Sequence, residues 1–342
     1  MNKKKVIVSL SGGKDSTASI ILLKNQNHEV HAFTMKLGLD GEEEKLKKVE
    51  RLANTMKIPL KVLDIEETFK EKIIGYFRDS YAQGKTPNPC IICNKVIKFD
   101  LLLNKAIAEE DADYYATGHY ANKIWTNGQF LLKEPKERSK SQIYFLSMIK
   151  REHLNRILFP LAQTSLKQVW EMVEGLPLVS KQESQDVCFL GNQNLREYLK
   201  KVLPSTYFQP GDILNIDGAK IGEHKGAVYF TIGQRRGTNF PSDRKLYVIK
   251  KDVVNNTITL GDAHHLYSNS IKVSNPVFWK RLRVGEVFQV KIRYLSPLYT
   301  AEIREVSDQH ILADFKEPVK SMTPGQVGVF FQEDTIVAAG FI

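Results

Sequence analysis

Apolar positions in the first half of the chain change period repeatedly. Val6-Ile-Val-Ser-Leu10 is a short continuous run of the kind that fills a buried strand, the residues after Asp15 carry a helical pattern, and Glu29-Val-His-Ala-Phe-Thr-Met35 returns to strand. From Gly41 to Met56, the residues Leu46, Val49, Leu52, Ala53 and Met56 fall on one helical face. Leu60-Lys-Val-Leu-Asp-Ile65 follows as a strand, and Asn94 to Glu109 is a helix leading into the strand Asp113-Tyr-Tyr-Ala-Thr117. Such alternation predicts an α/β fold, a doubly wound parallel sheet with helices on both faces. Beyond about residue 200 the pattern becomes short alternating runs separated by turn signals at Gly211-Asp, Asp217-Gly, Asn255-Asn, Val284-Gly, Ser296-Pro and Pro324-Gly. One helical stretch, Leu195 to Val202, interrupts this β texture. The expected domains are 1–200, a sheet domain; 201–270, a small β-rich domain; and 271–342, a small β-barrel.

Composition narrows the class. A chain of 342 residues with 42% hydrophobic residues can bury the cores of two or three domains. No apolar run approaches the ~20 residues of a bilayer span, and Met1-Asn-Lys-Lys-Lys followed by Val6-Ile-Val-Ser-Leu10 lacks the pattern of a secretory signal, so a cytoplasmic protein with no membrane partner is expected. Lys and Arg total 49 against 39 Asp and Glu, and the resulting +10 points to a polyanionic partner. Three cysteines do not make a disulfide framework, so each needs its own explanation.

The first chemistry lies in Val8-Ser-Leu-Ser-Gly-Gly-Lys-Asp-Ser-Thr-Ala-Ser19. A Walker A loop would need Gly where Val8 stands and Ser or Thr where Asp15 stands, so this is not one. What remains is strand, Ser-Gly-Gly-Lys-Asp-Ser, helix: backbone N–H groups able to approach an anion, the hydroxyls of Ser11 and Ser16, and a helix N-terminus that favours phosphate. Asp15 is a candidate magnesium ligand. A plain capped turn is the alternative. The position after the first strand of an α/β sheet favours nucleotide.

In Thr86-Pro-Asn-Pro-Cys-Ile-Ile-Cys-Asn-Lys95, Cys90 and Cys93 are expected in a proline-stiffened loop just before a helix, whose positive end would lower the Cys93 pKa. Cys188, in Gln182-Glu-Ser-Gln-Asp-Val-Cys-Phe-Leu190, reads by itself as a buried small hydrophobe, with Asp186 placed to raise its pKa. A zinc site of three cysteines with His119 stays open at this point.

The SGGKDS stretch resembles the PP-loop of ATP pyrophosphatases, which split ATP between its α and β phosphates. Together with TPNPCIICNKVIKF (Thr86 to Phe99), ATGHYA (Ala116 to Ala121), QESQDVCFL (Gln182 to Leu190), FTIGQRRG (Phe230 to Gly237), KIRY (Lys291 to Tyr294) and TPGQVGVFF (Thr323 to Phe331), the sequence resembles the tRNA-specific 2-thiouridylases over nearly its full length. The resemblance implies that wobble uridine is adenylated at its C2 oxygen and then takes sulfur from a cysteine persulfide. It implies Cys93 as nucleophile and Cys188 as persulfide carrier. ATP and Mg²⁺ would be held by Ser9, Leu10, Ser11, Gly12, Gly13, Lys14, Asp15, Ser16, Met35 and Gly118, with Asp15 on the metal. The residues toward tRNA would be Asn88, Pro89, Cys90, His119, Lys140, Ser141, Gln142, Arg293, Tyr294 and Gln326. A sulfur-relay donor protein is an implied partner.

The chain departs from the family pattern at Cys90, where aspartate is common, at Lys140-Ser-Gln-Ile-Tyr144, usually Lys-Asp-Gln-Ser-Tyr, and at Lys14. Phe278 and Trp279 beside Lys280, Arg281 and Arg283 offer rings and cations to an extruded base, or else a solvated strand face over a core. Two other functions fit some of the motifs. One is a PP-loop ligase adenylating a small metabolite; the other is an RNA-binding module with zinc or an iron–sulfur cluster on Cys90, Cys93 and Cys188.

Overall fold

A computed structural model describes residues 3–176, 178–179, 187–191, 193–238 and 240–342. The chain divides into two compact units. The first comprises Met1–Ile73, Cys90–Gly191 and Asp334–Ile336; the second comprises Ile74–Pro89, Asn192–Glu333 and Val337–Ile342.

The first unit is built on a parallel sheet. Its strands are β1 (Lys5–Ser9), β2 (Glu29–Lys36), β3 (Leu60–Asp64) and β4 (Tyr114–Thr117), followed in the chain by the hairpin strands β5 (Asn122–Thr126) and β6 (Gln129–Lys133) and the short β7 (Ile157–Leu158). The sheet order is β3-β2-β1-β4-β7. Val6, Ile7 and Val8 are all fully buried, because successive side chains enter opposite faces and both faces are covered. Val6, Val8 and Ala116 share a core with α1 (Lys14–Asn25), α2 (Glu42–Thr55) and the helix Leu166–Val173. On α2 the buried residues are Val49, Leu52 and Ala53, the face expected from their spacing. Ser165 and Gln168 form a reciprocal capping box on the third helix, an arrangement whose cap is worth about 1 kcal/mol. The chain leaves β1 toward β2 and β3 on one side and returns to β4 on the other. The sheet order therefore reverses between β1 and β4, at whose C-terminal ends such sheets bind ligands.

The second unit carries the helices Gly75–Ala82 and Leu195–Val202, which meet through the rings of Phe77 and Tyr198 at 5.9 Å. Four strands, β8 (Gly211–Leu214), β9 (Lys220–His224), β10 (Tyr247–Asp252) and β11 (Thr257–Gly261), pair in the order β10-β11-β8-β9. Ile213, Phe230, Val248, Ile258 and Leu260 fill their small core. Gly211 and Asp212, expected at a turn, instead begin β8; the turns of this sheet are at Asp217-Gly218 and Asn255-Asn256, where Gly218 and Asn256 have φ of 84° and 50°. Next come β12 (Tyr267–Phe278), β13 (Val287–Lys291), β14 (Tyr299–Val306), β15 (His310–Lys320), β16 (Val327–Gln332) and β17 (Thr335–Phe341), paired β12-β15-β14-β13-β16-β17. β12 also pairs with β17, so the sheet closes on itself around Val273, Val290, Ile303, Ala313 and Phe330. The overall class is the expected one: a parallel-sheet α/β domain and two small, mostly β domains.

Candidate active site

The nucleotide loop runs from Ser9 at the end of β1 to the first turn of α1. Gly12 has φ of 80°, a left-handed conformation that costs a residue without Cβ little. Gly13 caps α1 without any side-chain cap, so the dipole and N–H groups of the helix start remain available to an anion. Leu10 is buried and its N–H donates to the Phe33 carbonyl at 2.8 Å, tying the loop to β2. The hydroxyls of Ser11 and Ser16 lie 3.2 Å apart, and that of Ser16 donates to the Gly13 carbonyl at 3.0 Å. Gly118, just beyond β4, backs directly onto this loop: a Cβ there would lie 2.6 Å from the Ser16 nitrogen and 2.7 Å from the Asp15 carbonyl carbon. The close approach explains the glycine in Ala-Thr-Gly-His-Tyr. Met35 lies at the same end of the sheet, as the penultimate residue of β2.

Asp15 is about one-third exposed in its side chain, and its two carboxylate oxygens accept from Lys14 at 3.1 Å and from the Tyr120 hydroxyl at 3.2 Å. Lys14 is placed differently from the expected loop cation. It is only 4% exposed and its ammonium lies 5.5 Å from the Trp170 ring, so its charge acts on the loop through Asp15. Tyr120 in turn is held by Gln142: the Tyr120 N–H donates to the Gln142 side-chain oxygen at 2.9 Å, and the Gln142 N–H donates to the Tyr120 carbonyl at 2.9 Å. The Lys140–Gln142 segment is thereby linked through Tyr120 to the nucleotide loop.

The thiols differ from the sequence expectation. Helix begins at Pro89 and continues through Cys93–Leu102, so Cys90 and Cys93 are helical rather than in a loop before a helix. Proline is well suited to the first helical position, and Cys93 consequently lies past the first turn, beyond the strongest part of the end dipole. Burial pushes the Cys93 thiol up to about 12, the reverse of the expected lowering; Lys98 opposes that rise, while Cys188 and Cys90 add to it. Burial also raises Cys90, with Lys98 lowering it and Cys188 raising it. Cys188 is exposed, beside the buried Phe189, whose ring meets Phe69 at 6.2 Å. It is not the buried hydrophobe its neighbours suggested. The surrounding protein still raises its thiol, against Lys98 and Lys45. Gln182 to Asp186, including the acidic neighbour invoked for Cys188, lie outside the described residues.

His119 connects thiols and loop. It is buried, its Nδ1 lies 2.8 Å from the Thr117 hydroxyl, and its ring is 5.6 Å from that of Phe99 on the thiol helix. Burial, then Lys98, depress its pKa well below the ordinary value, so the imidazole is neutral at pH 7. Tyr115, fully buried on β4, is raised by burial and further by Cys93, which brings that strand within electrostatic reach of the thiol. Lys98, absent from the sequence-based site, is the cation felt by all three cysteines and by His119. Its clue lay in the motif Cys-Asn-Lys-Val-Ile-Lys-Phe, as the second lysine. Among the described residues no group of three or more His, Cys, Asp or Glu side chains is arranged to hold a metal ion, so the cysteine-cluster alternatives gain no support.

In the second unit, the turn Thr323–Gln326 docks the segment before Asn88 and Pro89. The Gln326 amide donates to the Thr86 carbonyl at 2.8 Å, the Thr86 N–H donates to the Pro324 carbonyl at 2.8 Å, and Gly325, at φ 94°, would bring a Cβ 3.0 Å from the Thr86 nitrogen. Arg293 is exposed and Tyr294 half-buried in the turn after β13, which Ser296 closes by donating to the Arg293 carbonyl at 3.0 Å. Trp279 is not a stacking platform: it is fully buried, while Arg281 and Arg283 are exposed.

Three domain families match in order: "tRNA methyl transferase HUP domain" over residues 4–192, "tRNA methyl transferase PRC-barrel domain" over 196–262 and "Aminomethyltransferase beta-barrel domain" over 268–342. A tRNA-specific 2-thiouridylase MnmA of Natranaerobius thermophilus is 36% identical over 362 residues, covering 100% of this chain and 98% of the relative. One from Caldanaerobacter subterraneus subsp. tengcongensis is 36% identical over 99% of this chain and 97% of its own length, and one from Acetivibrio thermocellus is 34% identical over 100% of both. The full-length matches, and the thiol helix and nucleotide loop brought together in one unit, have a single consequence: the chain belongs to the MnmA family of tRNA-specific 2-thiouridylases.

Proposed function

We propose that this protein replaces the C2 oxygen of the tRNA wobble uridine with sulfur, using ATP to activate the oxygen and Cys188 to carry the sulfur. The observation behind this reading is the continuity between loop and thiols: Gly118 packs on Ser16, His119 follows it, and the His119 ring meets Phe99 on the helix that bears Cys93. The uncapped start of α1 receives the phosphates, and Asp15 is the residue to hold a magnesium ion, which would screen phosphate charge. The C2 oxygen attacks the α-phosphate of ATP and pyrophosphate departs, leaving an adenylate whose AMP is a good leaving group. The terminal sulfur of a Cys188 persulfide attacks C2 and displaces AMP. The Cys93 thiolate then attacks the inner sulfur, freeing thiouridine and forming a Cys93–Cys188 disulfide. The transferred sulfur is thus reduced as two thiols are oxidised; an external dithiol reduces the disulfide, and the Cys188 thiolate then takes the outer sulfur of a persulfide on the sulfur-relay partner, whose thiolate leaves. Two working thiols favour sulfur transfer over the methyl transfer named in two of the domain descriptions.

The test is the nucleotide product. With tRNA, the protein is expected to form AMP and pyrophosphate, and Asp15→Ala to lose this activity with its fold unchanged. ADP as product would contradict the reading, whereas ATP–pyrophosphate exchange without RNA would favour a small-metabolite ligase.

A further inference from the structure

Lys98 occupies an unusual place for a lysine. Its chain neighbours Ile97 and Phe99 are both fully buried, yet Lys98 is itself only partly exposed, and among the described residues no hydrogen bond or ion pair takes up its ammonium. From Cys93 to Leu102 the helix is wound with hydrogen bonds five residues back. In an ordinary α-helix, residue 98 would stand about 140° around the axis from residue 93. The wider winding instead brings the two toward one side. The helix also departs from helical geometry at Phe99, with φ −104° and ψ 16°. That break seats the Phe99 ring against Tyr115, His119 and Phe159 at 6.2, 5.6 and 6.1 Å.

We propose that Lys98 is the positioning residue of the thiol site: its ammonium, turned toward Cys93 by the wide helix, holds the negative charge that passes between Cys93 and Cys188 during sulfur transfer. The proposal rests on Cys93 and Cys188 being the working thiols, but not on tRNA being the substrate. The groups that bear on these thiols come from every neighbouring element. Cys90 and Lys98 share the helix of Cys93, Tyr115 lies on β4, and Lys45 of α2 acts on Cys188. Lys98 alone is common to Cys90, Cys93, Cys188 and His119, favouring the thiolates and disfavouring an imidazolium. Each effect has the sign of one cation set among them. A protonated His119 would compete for the same thiolate charge, so Lys98 supports the thiolates and adds to the burial that disfavours the imidazolium.

The experiment is alkylation of the full-length protein with iodoacetamide from pH 6 to 10, below the raised Cys93 value, where the rate at each pH follows the small thiolate fraction; Cys93 and Cys188 are followed separately by peptide mass analysis, without ATP or tRNA. Lys98→Met is expected to slow both thiols several-fold at a given pH and to displace their pH profiles upward, with Lys98→Arg close to wild type. Lys45→Met is expected to slow Cys188 alone. ATP binding and thermal melting of each variant report the fold, and Lys98→Gln replaces Lys98→Met if the latter does not fold. Profiles of Lys98→Met or Lys98→Gln that superimpose on wild type, or Lys98→Arg behaving as Lys98→Met, would overturn the proposal. Loss of tRNA thiolation with unchanged profiles would overturn it as well, leaving the wider functional reading in place.

Discussion

Cys93 is asked to be dry and to be ionised. Burial pushes this thiol up to about 12, which disfavours its thiolate at neutral pH. Under the proposed reaction the exposed Cys188 is the thiol open to a sulfur donor, and the half-buried Cys93 is the one expected to act after it. Cys93→Ser and Cys188→Ser are each expected to abolish thiolation, and Cys90→Ser to retain a substantial fraction. Peptide mapping after turnover without reductant is expected to find Cys93 joined to Cys188; a dominant Cys90–Cys93 bridge with an inactive Cys90→Ser protein would contradict that pairing. Gly118 is a second residue whose role is local and testable. A methyl group 2.6 Å from the Ser16 nitrogen forces the loop aside, so Gly118→Ala is expected to cost roughly 1–3 kcal/mol in denaturant unfolding and to weaken ATP binding more than tRNA binding.

Elements with a strong period were legible in the chain. β1, β2, α1 and α2 fall within a residue or two of where the apolar runs and the Val49, Leu52, Ala53 face put them, because burial on both sides of the sheet dictates continuous apolar strands. The helix Leu195–Val202 was equally plain, closed at its start by the Asn194 and Glu197 capping box. The thiol helix was misread at its beginning. Pro-Asn-Pro looks like a loop, but its second proline is the first helical residue, and that shift of about one turn changes the electrostatics assigned to Cys93. The hairpin of β5 and β6 was missed although its turn, Asn127-Gly128 with φ of 49° and 76°, is a strong short-range signal. Trp279 shows a different limit: an aromatic residue beside cations has the same local sequence whether it faces a base or a core, and only its full burial in the folded chain decides between them. Lys98 was invisible for a related reason, since periodicity assumes ordinary helical winding and this helix is wound wider.

At the scale of the whole molecule, charge and activity meet. A formal +10 on 342 residues favours association with a polyanion, and affinity for tRNA is expected to fall steeply with salt as phosphate contacts release counterions. Arg293, exposed in the turn after β13, is expected to contribute one such contact. Arg293→Ala should weaken tRNA binding and reduce the log–log salt slope by about 0.9, while leaving ATP binding without tRNA unchanged. Equal weakening of both ligands, or of neither, would contradict that contact. In the proposed reaction the nucleotide loop, Cys93, Cys188 and the excess of basic residues serve one modification of tRNA. The measurement that tests it most directly is mass analysis of tRNA nucleosides from cells lacking this protein, with and without complementation by the wild type and by Cys188→Ser. The expected result is loss of 2-thiolated wobble uridine on deletion, restoration by the wild type and none by Cys188→Ser; unchanged 2-thiouridine on deletion, or full restoration by Cys188→Ser, would contradict it.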